Sequence, residues 1–112
     1  MSDSFYSKIS SRVSGAGVGT TAGATVTLAA PTGAKGYTCA GIQCSGDAAA
    51  LVTIESPSAT VLWRKRFAGA FTMSERFELG NIKGAAAAAM LVKISASTAN
   101  CEANIQAFVI PA

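Results

Sequence analysis

From Ala24 onward, apolar and polar residues alternate with a period of two in short runs, and clusters of Gly, Pro, Ser and Asn separate the runs. Phe71, Met73, Phe77 and Leu79 set against Thr72, Ser74, Arg76 and Glu78 are the clearest case. Side chains on a strand point alternately to opposite faces, so this spacing turns one face to a core and the other to water. The same reading predicts strands over 24–30, with Val26 and Leu28 inward, over 35–45, apolar on both faces, and over 49–56, with Val52 and Ile54 on one side. Residues 60–68 alternate Val61, Trp63, Lys65 and Phe67 against Leu62, Arg64 and Arg66. The last run alternates Cys101, Ala103, Ile105, Ala107 and Val109 against Glu102, Asn104, Gln106, Phe108 and Ile110, an outer row polar at first and apolar at its end. That apolar end marks Phe108 and Ile110 as candidates for contact with another subunit.

Three links between these runs carry specific expectations. Phe67-Ala68-Gly69-Ala70-Phe71 reads as a hairpin, because Gly69 supplies the backbone freedom such turns require. That hairpin sets Lys65 diagonal to Glu75 on an otherwise apolar face and predicts a paired charge, at a subunit interface. The five alanines from Ala85 to Ala89 raise the one helix alternative, but a run this short cannot nucleate a stable helix, and it leads directly into Met90, Val92 and Ile94 alternating with Leu91, Lys93 and Ser95. It is assigned to a strand. Residues 1–23 are rich in Ser, Gly, Thr and Ala, with Phe5, Tyr6, Ile9 and Val13 scattered among them, and read as an extended N-terminal arm ordered by whatever it lies against. Seven or eight short strands at even spacing, with no crossover helix, select an all-β fold. The expectation is a single-domain antiparallel β-sandwich over 24–112, of the jelly-roll kind, carrying the arm.

Composition narrows the function more by exclusion than by suggestion. With 112 residues the domain buries only about 65% of the surface of its unfolded chain, a thin margin that favours oligomerisation. Only 13% of residues are charged, so part of the apolar surface is expected to face partners. The net charge of +3 is too mild and dispersed to mark nucleic acid as the partner. Arg64-Lys65-Arg66 is the one basic cluster, and on a strand its two arginines face away from Lys65, Trp63 and Phe67.

The chain has no histidine, which removes Ser-His-Asp and Cys-His catalysis and His-ligated zinc together. Glu75 and Glu78, the nearest carboxylates in sequence, point to opposite faces of a strand, so no acid and base pair is expected, and the protein is not expected to be an enzyme or to hold a cofactor or metal. Gly15-Ala16-Gly17-Val18-Gly19 lacks the Lys-Ser/Thr of a phosphate loop. Cys39, Cys44 and Cys101 are expected to be free, buried thiols. Their odd number, and a start without the apolar core of a signal peptide, point to synthesis in a reducing cytosol. On one regular strand Cys39 and Cys44 would face opposite ways. No stretch approaches the length of a membrane span. Glu102, Asn104 and Gln106 form a polar strip suited to sugar, but no aromatic platform is evident beside it, and an ordinary strand exterior is preferred.

The order Pro31-Thr32-Gly33-Ala34-Lys35-Gly36-Tyr37, then Val61-Leu62-Trp63, then Phe77-Glu78-Leu79-Gly80, then Met90 to Thr98 resembles small virion proteins of tailed bacteriophages. Within these it is most similar to the jelly-roll decoration or cement proteins that sit as trimers on the capsid, over roughly residues 24 to 110. The resemblance implies a structural protein made in the host cytoplasm and resident on the capsid surface, where homotrimers cross-link the major capsid protein. It also implies an arm around Phe5, Tyr6, Ile9 and Arg12 lying along the shell, and subunit contacts drawn from Trp63, Lys65, Glu75, Phe108 and Ile110. The alternative is a tail, fibre or baseplate β module that binds a host receptor or glycan.

Overall fold

A computed structural model describes residues 11–19, 23–95 and 100–111. They form eight strands: β1 (Ser11–Gly19), β2 (Ala24–Leu28), β3 (Lys35–Gly46), β4 (Ala50–Glu55), β5 (Val61–Phe67), β6 (Phe71–Arg76), β7 (Met90–Ser95) and β8 (Cys101–Pro111). Two four-stranded antiparallel sheets have the orders β1-β8-β3-β6 and β2-β7-β4-β5, which makes the molecule a β-sandwich. The pairs β1·β8, β2·β7, β3·β6 and β4·β5 are nested one inside the next. The chain therefore behaves as one long hairpin folded at β4 and β5 and wound so that all consecutive strands except β4 and β5 lie in different sheets.

Period-two burial selects the inner faces. In β2, Ala24, Val26 and Leu28 are buried while Thr25 and Thr27 are exposed. Val52, Ile54, Met90, Val92, Ile94 and Ile105 fill the space between the sheets, all at 1% exposure or less, each contributing about 1.5–3 kcal/mol. No buried side-chain nitrogen or oxygen among the described residues lacks a hydrogen-bond partner. The buried Tyr37 hydroxyl donates to the Ala29 carbonyl, fixing the end of β2 over β3.

Several expectations are corrected. Ser11–Gly19 is not part of a separate arm: it is an edge strand of the sandwich, in register with β8 from Ser11 opposite Val109 to Gly19 opposite Cys101. Gly15, which carries no apolar signal, is what lets the strand lie close, since a Cβ there would come within 2.9 Å of Val26 Cγ1. The Phe67 to Phe71 link is not a hairpin, because β5 and β6 belong to opposite sheets; it is an arch across the sandwich. Strand β6 stops at Arg76, so Phe77 is only half-buried and Leu79, in the turn closed by Asn81 N–H donating to the Glu78 carbonyl, is exposed.

The alanine run is neither helix nor strand. Ala87 has a φ of 54°, and the segment lies along the free edge of β3, with Gly84 N–H donating to Tyr37 O and Ala87 N–H to Lys35 O. Cys39 and Cys44 do not face opposite ways, because a register shift between Cys39 and Gly41 resets the alternation and buries both. All three cysteines are free and buried, as expected.

Candidate functional site

Two surface features bring the candidate residues together. The first is the flank where β5 and β6, each at an edge of its own sheet, approach across the arch. Ile54 stands opposite Trp63, Val52 opposite Lys65 and Ala50 opposite Phe67, so Trp63, Lys65 and Phe67 share the core-facing side of β5. On the other sheet Phe71, Met73 and Glu75 share the core-facing side of β6. Phe67 stacks on Phe71 with centroids 4.3 Å apart, and Trp63 meets Phe77 edge to face at 5.6 Å. Between them Lys65 Nζ lies 3.7 Å from Glu75 Oε1 and 5.6 Å from the Phe67 ring centroid.

The Lys65 and Glu75 pair thus forms as expected, but across the sandwich and not within a hairpin. Lacking backbone hydrogen bonds between β5 and β6, this side is closed by side chains. It remains the least covered part of the core: Leu62, Trp63 and Phe67 are half-buried, and Val61 is 48% exposed.

The second feature is a notch of about 520 Å³ on the outer face of the sheet containing β3, β6 and β8. Two rungs build it. Ser74, Gln43 and Asn104 stand opposite one another across three strands, and Arg76, Gly41 and Gln106 do the same two residues along. Gly41 leaves the middle of its rung without a side chain. A Cβ there would come 2.9 Å from the Glu75 carbonyl oxygen, so the backbone needs glycine where the bulge brings β6 close. Phe108 and Phe77 complete the lining with Ala40, Ile42 and Glu75.

Of the subunit-contact candidates, Trp63, Lys65 and Glu75 gather at the flank, whereas Phe108 faces the notch and Ile110, half-buried, lies two residues further along the outer row of β8. Arg12 stands opposite Phe108 in the β1·β8 ladder. Phe5, Tyr6 and Ile9 lie outside the described residues. The strip named from sequence divides: Asn104 and Gln106 line the notch with Phe108, the aromatic that the linear pattern did not place beside them. Gln43, Ser74 and Arg76 were missed, because only strand register reveals that they adjoin that strip. The available signal was Gly41, a glycine inside an apolar strand, which marks a bulge or a close backbone approach.

The titratable interior is structural. Glu55 is 6% exposed and accepts from Ala59 N–H at 2.7 Å and from the Thr53 hydroxyl at 2.8 Å, folding the 56–60 turn back onto β4. Burial is the largest single influence and pushes its pKa up, but those two hydrogen bonds and the charge of Lys93 together outweigh it and hold the carboxyl below its ordinary range. Burial pushes Cys39 and Cys44 up to about 11, which suppresses their thiolates. Among the described residues no group of three or more Cys, Asp or Glu side chains is placed to hold a metal ion. No protein-family model, curated protein or solved structure matches this chain.

Proposed function

We propose that this protein is a structural component of a virion, a capsid decoration protein that binds the outside of a phage shell as a homotrimer and cross-links the major capsid protein. The observation that carries the reading is the β5 flank. An edge strand there leaves Val61, Leu62 and Trp63 incompletely covered, with a charge pair inside the seam, on a domain small enough to gain from a partner. The nested pairing of the strands supports a jelly-roll winding, the winding of the decoration proteins that the sequence resembles.

A closed trimer uses a head-to-tail contact, in which two different surfaces of each copy meet. The flank of Trp63, Lys65 and Glu75 and the outer row of β8 around Ile110 are two such surfaces. Three weak attachments held in one body then bind avidly, because each bound copy keeps the others at high local concentration.

The test is the mass of the purified protein by light scattering, followed by co-sedimentation with candidate capsids. A trimer that sediments with particles, and a Trp63→Glu variant that is folded, monomeric and released from them, is the expected result. A folded wild-type monomer that ignores capsids overturns the proposal.

A further inference from the structure

We propose that the notch over Gly41 is a saccharide-binding site that takes one pyranose unit of a surface glycan. This inference goes beyond capsid attachment: the notch adjoins the proposed trimer contacts at Glu75 and along the outer row of β8, but its polar wall of Gln43, Ser74 and Arg76 belongs to neither contact.

The geometry suits a sugar ring in size. Arg76 and Gln106 belong to strands on either side of β3, so their backbones stand about 10 Å apart, and the missing side chain at Gly41 leaves that width open above the sheet. A volume of about 520 Å³ lies within the range of small-ligand sites.

The chemistry is equally selective. Three carboxamides (Gln43, Asn104 and Gln106), the Ser74 hydroxyl and the Arg76 guanidinium line one face. Each carboxamide offers both a donor and an acceptor, which matches neighbouring ring hydroxyls that are themselves donors and acceptors. Phe108 supplies the apolar surface on which the C–H face of a pyranose packs, beside the polar groups that read its hydroxyls. Glu75, the one acidic residue of the lining, turns its carboxylate to the opposite face of β6, where Lys65 engages it. Arg76 would accommodate a hydroxyl or, in an acidic sugar, a carboxylate held by two parallel hydrogen bonds.

The test uses the full chain, labelled with nitrogen-15 and titrated separately with methyl glucoside, methyl galactoside, N-acetylglucosamine and glucuronate, with glycerol as a polyol lacking a ring. Saturable amide shifts centred on Gly41, Gln43, Ser74, Asn104 and Gln106 with at least one ring sugar and not with glycerol are expected. Gln43→Ala and Arg76→Ala, both at exposed positions, should each weaken that binding about fivefold or more, the effect of losing one hydrogen bond. Phe108→Tyr should retain binding and Phe108→Leu, which keeps bulk but removes the ring, should weaken it. The proposal is overturned by the absence of saturable shifts with all four sugars, by equal shifts with glycerol, or by binding that none of the weakening variants alters. Particle co-sedimentation of Gln43→Ala should be unchanged, so either proposal can fail without the other.

Discussion

Replacing Gly15 by valine tests whether Ser11–Gly19 belongs to the sandwich. A Cβ at Gly15 would lie 2.9 Å from Val26 Cγ1, 3.3 Å from Leu28 Cδ2 and 3.9 Å from Ile105 Cγ2, all three on buried residues. The closest atom is the methyl of a β-branched side chain with little rotamer freedom, so it yields only if β2 moves. Alanine at this position combines a gain of about 0.4–1 kcal/mol from a less flexible unfolded chain with a steric cost of similar size, so it is expected to be near neutral or mildly destabilising. Valine adds two further methyl groups where no space exists, and overpacking of that kind costs about 1–3 kcal/mol. The ceiling is the free energy with which β1 docks, because an edge strand under enough strain detaches from β8. The expected result is a Gly15→Val protein about 2 kcal/mol less stable in urea, with a melting point lower by about 10 °C and faster amide exchange along β1. Stability equal to wild type, with exchange in β8 unchanged, would refute the placement of β1 against the core.

Glu55→Gln should lower stability by about 1–2 kcal/mol at neutral pH, because charge-assisted hydrogen bonds from Ala59 and Thr53 become neutral ones. The folded-state pKa of Glu55 lies below its ordinary 4.5, so its contribution is complete above that value and fades as pH falls through the folded value. The gap between wild type and variant in urea midpoint should therefore close in acid, and a gap that widens there would contradict this. Cys39, Cys44 and Cys101 should resist a thiol reagent in the folded protein and all react in denaturant; rapid labelling of any one without denaturant would show that its burial is wrong. A double-mutant cycle on Lys65 and Glu75 should give a small favourable coupling, about 0.5 kcal/mol, since both side chains are more than a third exposed and salt screens them. No coupling at low salt would sink the pair.

Strands were legible where one face is buried and the other wet. Val26 between Thr25 and Thr27, or Ile105 between Asn104 and Gln106, announce their own orientation. Three things were not. β1 hid because its contact with the core uses the absence of a side chain at Gly15, and absence has no periodicity. The parity of β3 was lost at the register shift beside Ala40, which is set by how Gly41 fits against β6 and not by any local pattern. The arch at Gly69 looked like a hairpin because a short glycine link between two alternating strands is the same in sequence whether the strands pair in one sheet or face each other across two. The notch was half legible: Asn104 and Gln106 stand in one strand, but Gln43, Ser74 and Arg76 join them only through register.

That ambiguity at Gly69 has a measurable consequence. Had β5 and β6 formed a hairpin, backbone hydrogen bonds would hold them and Phe67 and Phe71 would be an auxiliary cross-strand pair. Facing each other across two sheets, the strands depend on those rings. Phe71 is 8% exposed and stands where a Cβ on Gly46 would come 2.8 Å from its ring, so Phe71→Ala should cost about 3–4 kcal/mol. Phe67 is half-buried and contributes its exposed-side packing and the stack, so Phe67→Ala should cost about 1–2 kcal/mol. Both variants should also open the seam beside Lys65 and Trp63, measured as a red shift in the emission of Trp63, the chain's single tryptophan. Near-neutral stability of Phe67→Ala with unshifted emission would mean that the flank is closed by something other than its aromatic pairs. The same seam would then be a poor foundation for a subunit contact, because a surface that already holds itself shut has little to gain from a partner.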